Sequence, residues 1–203
     1  MKQLLLEELS ELGRNISIDE KIFNGQLEFS DWKSCGNCMN YFSRTCDHTI
    51  LKVNSKRDVH ALNLERIILD TKNENLRKGG ICDLIMYDED KLALAELTCS
   101  LPHYLEQHTT EGEQKEGKRP KAYRQLNNAI ARLRSFDKLD KAIAGYRQRE
   151  AIFACREKET AFIQEDKGAK AMQSFRRRPQ PKETDMGNGF IFKRIDYPNV
   201  YEW

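Results

Sequence analysis

Two carboxylates in an apolar setting are the residues of this chain best placed to do chemistry. Within GGICDLIMYDEDKLALAELTCS (residues 79–100), Asp83 falls on the first arm of a predicted β-hairpin and Glu96 on the second. Strands buried on both faces lose their polar alternation and read as nearly continuous Ile, Leu and Ala. A charge buried in such a run without compensation costs on the order of several kcal/mol. Three compensations would serve: a cation partner, a proton, or a divalent metal shared by both acids. The third sets up metal-assisted hydrolysis.

A second cluster has the spacing of metal ligands. Cys35 and Cys38 form a C-x2-C pair, and Cys46 and His48 follow as C-x-H. Two thiolates converge across the first turn, and in an extended C-x-H both side chains leave the same side of the chain. Four such ligands suit tetrahedral zinc, closed to water and therefore structural. Free thiols and a thioredoxin-like redox pair are the alternatives, the latter lacking the strand-to-helix setting it needs. Zinc here would staple a segment too poor in apolar residues to pack alone. Cys82, Cys99 and Cys155 lie in predicted strands and read as small core residues.

The elements that must position these groups can be traced along the chain. Its 203 residues fit one domain with a sizeable core, and charged residues at 33% beside hydrophobic ones at 39% suit a globular protein. No apolar run approaches the roughly 18 residues of a membrane span, and Glu7, Glu8 and Glu11 interrupt the only apolar patch near the start. The expectation is a cytoplasmic protein with reduced cysteines. An amphipathic helix is predicted over residues 2–12, with Leu5, Leu9 and Leu12 on one face and Gly13 as its stop. Residues 14–33 read as irregular, with an extended piece near Ile22–Leu27.

The division expected is 1–33 for the first helix and linker, 34–57 for the zinc knuckle and 58–203 for the core. Asp58 is a candidate N-cap for a helix that gives way to a strand near Ile67–Leu69. Residues 106–120 are polar and glycine-containing, a loop; Pro120 then opens a helix whose Ala122, Leu126, Ala129, Leu133 and Phe136 make one stripe. Residues 150–156 read as a central strand, Ala161–Gln164 as another, and GFIFKRIDY as a last one. The fold class expected is α/β, a mixed central sheet flanked by helices.

Charge is uneven. Residues 1–110 carry a net −5 and residues 111–203 a net +7. The basic half either faces phosphates or is an uneven solvated surface. Arg124, Arg132 and the run Arg176, Arg177, Arg178 are the candidate phosphate contacts.

An acid on one strand, a hairpin, an acid on the next and then a helix opening with basic residues and Gln resembles the PD-(D/E)XK, or restriction-endonuclease-like, nucleases. The motifs stand here as GGICD with Asp83, AELT with Glu96, and KAYRQL with Gln125, across roughly residues 58–156. The resemblance implies that Asp83 and Glu96 bind Mg2+ or Mn2+ and that Gln125 supports the site. It also makes Glu65 a candidate for the extra acid some members carry on a preceding helix. Thr98 stands where the family has lysine. Some members draw that lysine from the following helix, where Lys121 shares a polar sector with Arg124, Gln125, Asn128 and Arg132.

Two functions follow. The first is a Mg2+-dependent nuclease acting on DNA, in a setting that the resemblance places in bacterial anti-phage or restriction systems. The second is a catalytically inactive nuclease-like subunit that docks onto a larger complex through its leucine-rich first helix and aromatic tail, IFKRIDYPNVYEW. The bland alternatives are an ion pair between Glu96 and Lys121 or Arg124, and termini packed on the chain's own core.

Overall fold

A computed structural model of the chain describes residues 1–10, 16, 18, 20–30, 49–78, 80–100, 104–105, 108–110, 113–157 and 183–203. The cysteine knuckle, Arg176–Arg178 and the strand expected at Ala161–Gln164 lie outside the described residues.

The molecule is a mixed α/β structure. Helix α1 (Lys2–Ser10) precedes strands β1 (Glu20–Phe29) and β2 (Leu51–Asn63), then helices α2 (Leu64–Asp70) and α3 (Glu74–Arg77). The hairpin β3 (Leu84–Tyr87) and β4 (Lys91–Ser100) follows, then the short pair β5 (His108–Thr110) and β6 (Glu113–Lys115). Helices α4 (Lys118–Arg134) and α5 (Asp137–Gly145) lead into β7 (Gln148–Glu157), β8 (Glu183–Asp185), β9 (Ile191–Asp196) and β10 (Val200–Glu202). The main sheet runs β1-β2-β3-β4-β7-β9-β8, with β10 added parallel to β2. Strands β1 to β4 are antiparallel neighbours, whereas β7 lies parallel to both β4 and β9. Parallel neighbours need a long crossover, and α4 supplies most of the one between β4 and β7, packing on both.

Alternation along the central strands separates two cores. Leu92 and Leu94 of β4 and Ala151 and Phe153 of β7 meet the stripe of α4 (Ala122, Leu126, Ala129, Leu133) and Leu5 and Leu9 of α1. Ala93, Ala95, Ile152 and Ala154 face the other way, onto Phe29, Leu51, Val53 and Tyr201. The apolar sides of α1 and of the aromatic tail are thus covered by the chain itself. Among the described residues, no helix is long and apolar enough to cross a membrane.

Four local expectations change, the first being the loop expected over 106–120, where β5 and β6 pair as an antiparallel ladder. Residues 20–29 form a full strand in register with β2 rather than a short extended piece. The order in 58–70 is strand then helix: Asp58 lies within β2, and Asn63 is the cap, its side chain accepting from the Arg66 amide at 2.9 Å. Helix α4 begins at Lys118, ahead of Pro120, because its first-turn amides need no intrahelical acceptor and proline is tolerated there.

Candidate active site

The β3–β4 ladder pairs Leu84 with Ala95, so one further step sets Asp83 opposite Glu96. Asp83 enters just ahead of β3, where its Oδ2 accepts the Leu97 amide at 2.6 Å. Its main-chain carbonyl accepts the amides of Leu64 at 2.9 Å and Glu65 at 3.4 Å. The residue carrying one acid therefore caps the helix carrying another. Glu96 and Thr98 alternate with Leu97 on β4 and share the face that α4 covers.

These elements enclose a polar cavity of about 290 Å³, lined by Glu65, Asp83, Glu96, Thr98, Lys121 and Gln125, with Lys118 and Ile81 beside them. All five residues expected in catalysis meet there, from α2, the edge of β3, β4 and α4. Asp83 and Glu65 are only 7% and 9% exposed. Their charge is felt by Cys82, which is fully buried in the core next to Asp83 in the chain: burial first, then Glu96, Asp83 and Glu65, push its thiol well above the ordinary value. Clusters of like charge in clefts are characteristic of functional sites.

Lys118 was missed from sequence. It lies three residues before Lys121 on one face of α4, a spacing hidden by starting the helix at Pro120. Both ammonium groups are exposed at the rim. Gln125 does not aim its amide at the acids: its Nε2 donates to the Ile81 carbonyl at 3.3 Å. Gly80, at φ +91°, packs so closely on it that a Cβ there would lie 2.5 Å from the Gln125 Cγ. Both the positive φ and that contact require glycine.

The arginines divide. Arg124 is exposed on α4 and paired with Glu116 at 2.8 Å. Arg132, expected on phosphates, instead turns inward and donates to the carbonyls of Leu76, Lys78 and Gly80.

Hard oxygen donors of this kind suit Mg2+ or Mn2+. Among the described residues no three His, Cys, Asp or Glu side chains already converge as a ligand set. Mg2+ asks for less, since it is commonly held by one or two carboxylates with waters and substrate phosphates completing its shell. Asp83 and Glu96 are two carboxylates lining one cavity. Comparison with family models, curated proteins and solved structures finds no match for this chain.

Proposed function

We propose that this chain is a Mg2+-dependent nuclease of PD-(D/E)XK type with DNA as its substrate. One observation supports the reading: acids from three separate places in the chain and lysines from a fourth line one cavity. Asp83 and Glu96 would hold the ion, with Glu65 as a third acid within the same cavity. When bound, the ion lowers the pKa of an attacking water and polarises a phosphoryl oxygen.

The chain's own residues do the rest. Lys121 and Lys118 bring to the rim the positive charge that Thr98 lacks, where an anionic phosphate would approach the acids. Arg124 extends that basic edge along α4, and Arg176–Arg178 would add backbone contacts that strengthen binding without reading sequence. Buried carboxylates repel a bare phosphate, so the acids and the lysines act together only with a divalent ion between them.

The zinc knuckle of Cys35, Cys38, Cys46 and His48 remains part of this proposal on its spacing, and a place in anti-phage defence rests on the resemblance alone. The accessory-subunit reading has less behind it, because Leu5, Leu9 and Tyr201 are all buried in the chain's own cores.

The test is nicking of plasmid DNA by purified protein with Mg2+ or Mn2+, beside Asp83→Ala and Glu96→Ala. Metal stabilisation of several kcal/mol corresponds to a loss of at least about 100-fold in either variant. Folded wild-type protein that cuts nothing in either metal would move the reading to the accessory subunit.

A further inference from the structure

Arg132 sits two turns beyond Gln125 on α4, and its guanidinium holds the segment that leads into Asp83. Nη1 donates to the carbonyls of Leu76 and, at 3.3 Å, Gly80, while Nη2 donates to that of Lys78. Leu76 and Lys78 close the short helix α3, whose last carbonyls lack intrahelical donors. Three of the five N–H groups of the side chain are thereby engaged with main chain. Gln125 takes the next carbonyl, Ile81, and Gly80 lies flat against it. Two residues later, Asp83 meets Leu97 through its carboxylate and Leu64 through its carbonyl.

We propose that Arg132 is a positioning residue for the metal-binding carboxylates, clamping the carbonyls of Leu76, Lys78 and Gly80 so that Asp83 enters β3 on the side of Glu96. This rests on the nuclease reading of the cavity. The guanidinium fits the role where lysine would not, because one planar fork reaches three carbonyls at once. Displacements of about 1 Å in a supporting shell cost on the order of 100-fold in rate.

The experiment uses full-length wild type, Arg132→Ala and Arg132→Lys, with three readouts: amide hydrogen exchange, Mn2+ binding without DNA, and cleavage kinetics. In Arg132→Ala, exchange at the Leu64 and Leu97 amides, both held by Asp83, should rise about tenfold or more while β7 keeps its protection. Mn2+ affinity should fall roughly 10–100-fold, with kcat reduced and the KM for DNA within about twofold of wild type. Arg132→Lys, able to reach fewer carbonyls, should fall between, and it decides the matter if the alanine variant does not fold. Unchanged exchange at Leu64 and Leu97 would overturn the proposal. So would a raised KM with a salt dependence shallower by about one unit, the mark of a lost phosphate contact. Wild type that neither binds Mn2+ nor cleaves would instead sink the nuclease reading, and exchange at those two amides would still decide whether Arg132 positions the segment.

Discussion

Strand β4 begins at Lys91 and carries Glu96 past its middle, and the surroundings of these two charges differ in sign and in access. Lys91 is 5% exposed, beside Glu150, which is 7% exposed. Its Nζ lies 3.5 Å from Glu150 Oε1, and the same oxygen takes Lys193 at 3.0 Å. Tyr201 donates its hydroxyl to the other oxygen of Glu150. The Lys91 ammonium also lies over the rings of Tyr201 and Trp203, at 4.7 and 4.9 Å. Trp203 in turn donates to Asp88 at 2.8 Å. This end is closed, with opposite charges brought together. At the Glu96 end, Glu65, Asp83 and Glu96 line one open cavity together with Lys118 and Lys121. The first network is dry and roofed by aromatic rings, whereas the second opens onto a polar cavity. On the proposed reading, function belongs to one end of the strand and stability to the other.

Removing an acid should therefore have opposite consequences at the two ends. Glu150→Ala leaves Lys91 and Lys193 facing each other with their shared carboxylate gone. Breaking a buried pair from one side costs about 3–5 kcal/mol. The midpoint of urea unfolding should drop accordingly, at unchanged slope. A loss below about 1 kcal/mol would erase the distinction between the two ends.

The closed end should also announce itself in alkali. Burial, reinforced by the charge of Glu20 near Tyr87 and of Asp88 near Tyr146, pushes both phenols up to about 12 from an ordinary 10.0. Tyr201 is pushed higher still, by burial and then by Glu150. Between pH 10 and 12 the unfolded chain has lost these protons and the folded chain retains them. Stability is thus intact below pH 10 and falls as pH rises through 12, by up to about 1.4 kcal/mol per pH unit for each phenol. Ultraviolet titration should show these tyrosines ionising late and together with unfolding. Ionisation near pH 10 without unfolding would mean that this end is open to water.

What could be read from the sequence was local. The β3–β4 hairpin, the stripe of α4 and the strands β7 and β9 each declare themselves over a few residues, and with them Asp83, Glu96, Lys121 and Gln125. Strand β1 did so only in part, because Gly25, at φ +92° beside a register shift, leaves a gap in the inward row between Phe23 and Leu27. Helix α5 begins after Phe136 with no side-chain cap, and only Asp137 and Asp140 in its first turn mark its start. The role of Arg132 depends on carbonyls more than fifty residues away in the chain. Main-chain acceptors leave no trace in side-chain pattern. Polar sector membership placed Arg132 on the right helix and gave it the wrong partner.

The finest test of the contrast is Glu96→Gln in metal-free buffer at neutral pH. Glutamine keeps the size and a carbonyl acceptor while removing one of three like charges around Cys82, so electrostatic repulsion in the cavity falls. The folded state should become more stable by about 1 kcal/mol, the usual sign of a site whose residues are held for activity at the expense of stability. Mg2+ should then separate the two proteins further. Wild type gains stability as RT ln(1 + [Mg2+]/Kd), so its thermal midpoint climbs with added ion. The variant, with one fewer anionic ligand, climbs less and loses its advantage at saturating ion. Destabilisation of Glu96→Gln comparable to that of Glu150→Ala, with no response of wild type to Mg2+, would make the acids of the open cavity one more structural network and remove the electrostatic reason for placing chemistry there.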